Sequence, residues 1–129
     1  AGCAAWFERE LQGGKMSMVA MPPESDAICG VATLSGIMLD ALRGAFLAYY
    51  AMAGFERRGL MTEAVRGMVR FAFDELELHR LEANIQPGNA ASIALAQRLG
   101  FRREGFSPRY LRIRGEWRDH ERWALLADG

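Results

Sequence analysis

Cysteine is scarce in this chain. Cys3 and Cys29 are the only two, with no framework spacing. That excludes a disulfide scaffold and reads as reduced thiols of a cytosolic protein. Histidine is equally thin: His79 and His120 lie far apart, without the Cys or carboxylate spacing of a metal site, so no metal is expected. No apolar run approaches the roughly 18 residues of a membrane span. The richest, residues 44–54, is too short. Neither sign of charge is in excess, since 16 basic residues balance 16 acidic ones. No whole-molecule field therefore draws the chain to nucleic acid or anionic lipid. The Walker loop, the G-x-G-x-x-G fingerprint and the G-x-S-x-G elbow are all missing. Ala1-Gly2-Cys3 carries neither an initiator Met nor a signal-peptide pattern, so a trimmed or truncated chain is expected.

What is present is an ordinary globular balance: 50% hydrophobic and 25% charged residues over a length of 129, which predicts one domain spanning residues 1–129. Strand patterns occupy residues 16–21 and 27–37, split by the turn formers Pro22-Pro23-Glu24-Ser25-Asp26. Residues 45–52 are continuously apolar. That suits a central strand buried on both faces, although a short buried helix reads the same way; length and Tyr49-Tyr50 favour strand. Met61, Ala64, Val65, Met68, Val69, Ala72 and Leu76 then recur at helical steps. Leu81, Ala83 and Ile85 alternate with polar residues as a strand. Asn89 is suited to cap a second helix that stops at Gly100. Two strands follow, residues 101–114 (broken near Ser107-Pro108) and 118–126, joined through Gly115. The predicted order is β-β-β-α-β-α-β-β, a mixed α/β sheet, with residues 4–11 read as a helix.

Two features bear on chemistry. Eight arginines crowd residues 98–122, against Glu104, Glu116, Asp119 and Glu121. An Arg-rich solvent face of a hairpin accounts for them, as does an acceptor for anionic groups. The other feature is the junction Gly54-Phe55-Glu56-Arg57-Arg58-Gly59, which feeds the long helix directly. A helix start exposes unpaired N–H groups, Gly59 permits close approach and the arginines add charge, so the junction can cradle phosphate oxygens.

Glu56-Arg57-Arg58-Gly59-Leu60-Met61 resembles the R/Q-x-x-G-x-G/A loop of GNAT-superfamily acetyltransferases. Gly59-Leu60-Met61-Thr62-Glu63-Ala64 is similar to the form in ribosomal-protein-alanine N-acetyltransferases. So are His79-Arg80-Leu81-Glu82-Ala83-Asn84, Asn89-Ala90-Ala91-Ser92, Leu99-Gly100-Phe101 and the stretch from Tyr110-Leu111 through Gly115 to Trp117-Arg118-Asp119-His120. These keep the family's order over residues 28–126.

The resemblance implies a GNAT-like, mostly antiparallel splayed sheet flanked by helices, lacking the family's first strand and first helix. It implies acetyl-CoA as co-substrate. The pantetheine arm would lie against the backbone of Tyr50, Ala51 and Met52, and the pyrophosphate on Arg57, Arg58, Gly59, Leu60, Met61 and Thr62. Asn84, Asn89 and Ser92 match positions at the thiol end. Transfer to a primary amine is implied, foremost the N-terminus of a ribosomal protein. A small-molecule amine (antibiotic, polyamine or amino acid) and a non-catalytic acyl-CoA-binding module are the alternatives, and a homodimer is one assembly open to it. The sequence also departs from the family. Glu56, Arg57 and Met61 alter the loop, Ala96 stands where many members carry the tyrosine that protonates the thiolate, and Arg109 replaces a carboxylate base. Ser92 is then the first candidate acid and Tyr110 the second, with Glu82 and Glu104 as bases through water.

Overall fold

The computed structural model describes residues 4–12, 15–21, 30–51 and 60–128. Cys3, Cys29, the Pro22–Asp26 turn, Met52 and the loop carrying Arg57, Arg58 and Gly59 lie outside them. One seven-stranded sheet runs β1 (Ala4–Gln12), β2 (Lys15–Met21), β3 (Gly30–Met38), β4 (Gly44–Ala51), β5 (Arg80–Ile85), β7 (Glu116–Leu126), β6 (Arg102–Ile113). Every neighbouring pair is antiparallel except β4 and β5. Two α-helices, α1 (Leu60–Arg70) and α2 (Ala90–Arg98), are present among the described residues. The mixed, mostly antiparallel α/β class is as expected. The order gains a strand at its start, because residues 4–11 are not a helix: β1 pairs with β2 from Ala4↔Met21 onward. Its Ala, Glu, Arg and Leu are good helix formers, but propensity differences are a fraction of a kcal/mol per residue and pairing with a neighbouring strand overrides them.

Both helices pack on the face carrying Met18, Leu34, Leu47, Leu81 and Trp123, where α1 adds Val65 and Met68 and α2 adds Leu95 and Ala96. The helical stripe predicted from Met61 to Leu76 forms, but its last part, Phe71–Glu75, widens into a π turn. There Leu76 N–H reaches Phe71 O at 3.1 Å. Asn89 caps α2 by accepting from Ser92 N–H at 3.2 Å. The helix ends with Gly100 N–H on Gln97 O and Phe101 N–H on Ala96 O, with Gly100 at φ 93. This is the paired closure that a left-handed C′ residue permits.

Two further expectations are corrected. β4 is buried on one face only: Ala45 and Leu47 are in the core, whereas Phe46 is 42% and Tyr50 57% exposed. An apolar run shows only that neither face is strongly polar; what covers each face is set by tertiary packing. β6 is not broken at Ser107-Pro108. It continues through a bulge between Ser107 and Leu111, where Arg109 adopts φ 46 and its N–H donates to Asp119 Oδ1 at 2.8 Å. Arg114 and Gly115, both at positive φ, close the β6–β7 hairpin.

Candidate functional site

The parallel pair β4–β5 is closed at one end and open at the other. Arg43 fastens the closed end, its guanidinium donating to the carbonyls of Leu39, Leu76 and Glu77. Its own carbonyl accepts from His79 N–H at 2.7 Å. Pairing then runs through Gly44↔Arg80, Ala45↔Leu81 and Phe46↔Glu82, and stops. Beyond that point, among the described residues, β4 pairs only with β3 and β5 only with β7. The main-chain groups on the free edge of Leu47–Ala51 therefore face a gap, as at a sheet edge able to accept another extended chain.

Helix α2 runs beside this gap and forms a cavity of about 570 Å³ with it, lined by Tyr49, Tyr50, Ala51, Met61, Thr62, Asn89, Ala91, Ser92, Ala94, Leu95 and Arg98. Tyr49 bridges the gap, its hydroxyl donating to Ser92 O at 2.7 Å. Burial pushes this phenol above its ordinary range, so it remains a protonated donor. Ser92 is thereby held at its N–H by Asn89 and at its carbonyl by Tyr49, while its hydroxyl has no partner among the described residues. Arg98 Nη1 donates to Thr62 Oγ1 at 2.9 Å, joining the end of α2 to the first turn of α1. Met61 is 8% exposed and seated over Gly30, where an added Cβ would overlap its sulfur.

Of the residues expected at a cofactor site, Tyr50, Ala51, Met61, Thr62, Asn89 and Ser92 come together around this cavity. Leu60 opens α1. Asn84 does not line the cavity; it lies on β5, paired with Arg122 of β7. Nor does Tyr110, which is 42% exposed on the hairpin with its ring edge-on to His120 at 6.2 Å. Ala96 is 1% exposed in the core. Glu82 and Glu104 are both engaged by Arg80, at 3.0 Å and 2.6 Å. The Arg80 hydrogen bond, followed by its charge, holds the Glu104 carboxyl below the usual glutamate range, which makes it a poor base.

Sequence reasoning missed Tyr49, Ala91, Ala94, Leu95 and Arg98 as cavity residues. The helical step would have found four of them, since positions 91, 94, 95 and 98 share a side of α2 near Ser92.

The slot suits the long, thin arm of coenzyme A. Its volume lies within the ordinary range for small-molecule sites, it offers unpaired backbone along one wall, and it holds one cation at one end. A model described as acetyltransferase (GNAT) domain matches residues 1–102. The chain belongs to the GNAT acetyltransferase family. It is 40% identical over 101 residues to the Bacillus subtilis protein named probable N-acetyltransferase YjcK, covering 78% of this chain and 56% of that one. It is 35% identical over 118 residues to the Escherichia coli [ribosomal protein uS5]-alanine N-acetyltransferase, covering 92% and 61%. The solved Mycobacterium smegmatis RimJ in complex with CoA-disulfide superposes with a TM-score of 0.84 at 32% identity, over 90% of this chain and 55% of that one. The chain thus spans rather more than half the length of these relatives.

Proposed function

We propose that this chain carries the cofactor half of an acetyl-CoA-dependent N-acetyltransferase whose acceptor is a primary amine, in particular the α-amine of a ribosomal protein. The carrying observation is the edge of β4, which beyond Phe46 has no strand partner on that side among the described residues and is faced by the polar start of α2. The arm would lie along Tyr50, Ala51 and Met52, with the pyrophosphate over Arg57, Arg58, Gly59 and the first turn of α1. Asn89 and Ser92 would stand at the thiol end, with Asn84 beyond them on β5. Bound there, acetyl-CoA supplies a thioester whose acetyl carbon an amine can attack.

An α-amino group has an intrinsic pKa of about 7.7–8.0, so part of it is neutral near pH 7. Such an amine needs positioning more than a strong base. That fits a site whose nearest candidate carboxylates are tied to Arg80, and proton removal falls to water. A backbone N–H on the open edge of β4 would stabilise developing negative charge on oxygen, a role worth roughly 2.7–4 kcal/mol in comparable sites. The Ser92 hydroxyl would give its proton to the departing thiolate and recover one from the water that takes the amine's proton. Support for a protein acceptor comes from the similarity to the [ribosomal protein uS5]-alanine N-acetyltransferase at 35% identity.

The test is release of free thiol from acetyl-CoA in the presence of N-terminal peptides, with polyamines and amino acids as competing acceptors. Turnover on peptides beginning with Ala or Ser is expected. Turnover on polyamines alone would replace the acceptor, and tight binding without turnover on any amine would make this a binding module.

A further inference from the structure

Arg43 meets three segments at the closed end of the β4–β5 pair. Its Nε donates to Glu77 O at 3.0 Å and its Nη2 to Leu76 O at 3.2 Å, both just past the π turn that ends the α1 segment. Nη1 returns to Leu39 O, in the turn that leads into β4, at 2.7 Å. The Arg43 carbonyl accepts from His79 N–H at 2.7 Å and from Arg80 N–H at 3.3 Å. Side chain and main chain of one residue thus hold residues 76, 77, 79 and 80, the link from the helix to β5.

A cation beside the last carbonyls of a helix has an ordinary explanation in the negative end of the helix dipole. That accounts for the charge but not for the backbone. Arg43 sits at φ 47, and Glu77, whose carbonyl it bonds, at φ 53. Residues with side chains seldom adopt these left-handed conformations, which glycine takes without strain. Such conformations persist where the surroundings over-determine them, and they cluster where geometry serves function. The geometry set here is that of the strand pair. It runs through only Gly44↔Arg80, Ala45↔Leu81 and Phe46↔Glu82 before the strands part. So short a joint leaves the direction of β5 dependent on how its first residues are fixed. The Tyr49–Ser92 bond then braces the far end, six residues or about 20 Å along β4.

We propose that Arg43 is a positioning residue that sets the angle at which β4 and β5 diverge, and with it the width of the gap that takes the cofactor's arm. This rests on the cofactor reading above and extends it to a residue that does not line the cavity. Arg43 pins the closed end, and Tyr49 braces the open one. A guanidinium suits the pin because its planar fork bonds several carbonyls in fixed directions, whereas an ammonium supplies charge without that geometry.

The experiment measures thermal unfolding, and coenzyme A binding well below the melting temperature, for the wild type, Arg43→Ala, Arg43→Gly, Arg43→Lys and Tyr49→Phe. Arg43→Ala and Arg43→Gly are each also combined with Tyr49→Phe, so that the cycle survives if the strained alanine variant does not fold. Arg43→Gly should melt above Arg43→Ala, because glycine relieves the left-handed φ. Both should nevertheless weaken coenzyme A alike, by about three- to tenfold, since both lack the guanidinium. Arg43→Lys should keep the charge at the helix end and recover little of the affinity. Independent sites this far apart have multiplicative effects. Here each double variant should bind about as weakly as its weaker-binding single, because a brace holds no defined gap once the pin is lost. Affinity that follows melting temperature across the series would overturn the proposal in favour of plain stabilisation. Full recovery in Arg43→Lys would overturn it in favour of the helix dipole alone. Multiplicative losses in the double variants, or unchanged binding in every Arg43 variant, would overturn it as well. Failure of the wild type itself to bind coenzyme A would remove the cofactor reading, and this proposal with it.

Discussion

Tyr49 donates its hydroxyl to the carbonyl of Ser92 at 2.7 Å, across the gap that opens where β4 and β5 part. The bond joins a strand to the first turn of a helix and fixes how far α2 stands from the β4 edge. Tyr49→Phe keeps the ring and removes the tie. The expected cost in stability is about 0.5–1.5 kcal/mol, read as a lower urea midpoint. Because the freed helix borders the slot, KM for acetyl-CoA should rise several-fold with a smaller change in kcat. An unchanged KM would show that the bond stabilises the fold without setting the slot.

The same bond makes Ser92→Ala an unusually selective substitution. Asn89 and Tyr49 hold the main chain of Ser92, and both bonds survive when the hydroxyl is removed. If that hydroxyl protonates the thiolate, kcat and kcat/KM for the amine fall together, because the interaction is made only in the transition state. A loss of about 10²–10⁴ is expected, with little change in acetyl-CoA affinity. Tyr110→Phe is the paired control. Its exposed ring packs on His120 away from the cavity, so its rate should stay within about twofold of wild type. A large loss in Tyr110→Phe alone would transfer the acid role to Tyr110.

A second close fit lies under the first turn of α1. Gly30 opens β3 with no side chain, and the Met61 sulfur occupies the space a Cβ would need, with Tyr50 O a further 3.1 Å contact. Gly30→Ala should therefore destabilise by about 1–3 kcal/mol, the usual cost of overpacking. Met61→Ala alone should cost about 2–5 kcal/mol by leaving a cavity. The two changes share one space, so the double variant should be more stable than the sum of the singles by at least about 0.5 kcal/mol. Strict additivity would mean the two residues do not compete.

These fits differ in how far they could be read from residue order. The α1 stripe, the Asn89 cap, the Gly100 stop and the alternation of β5 are local patterns, and each formed where the residues predict it. β1 reads as a helix because Ala, Glu, Arg, Leu and Gln are good helix formers, whereas its strand state depends on pairing with β2. The splay was reachable only through the family resemblance, since where a parallel pair stops is a matter of two distant segments. Tyr49 and Tyr50 are the same residue type in adjacent positions. Which ring turns toward α2 depends on strand parity, and a shift of one residue reverses it. Arg98 was counted within a basic run, and its contact with Thr62 appears only once α2 is laid beside α1.

The last prediction concerns acid. Glu104 is held below the ordinary glutamate pKa of about 4.3, first by its hydrogen bond to Arg80 and then by the Arg80 and Arg122 charges. A carboxylate depressed in the folded state adds stability that is complete above its unfolded pKa and is lost as pH falls through the folded value. The link should therefore contribute fully at pH 7, begin to fade below about pH 4.3, and vanish at still lower pH. Glu104 is 39% exposed at the side chain, so solvent screens the pair and its worth is modest. Glu104→Gln removes the charge while keeping the shape. Urea unfolding should show the variant less stable than wild type at pH 7, with the gap closing toward pH 3. A gap that stayed constant with pH would mean that the carboxylate charge contributes nothing and that only side-chain packing joins β6 to β5 at this point.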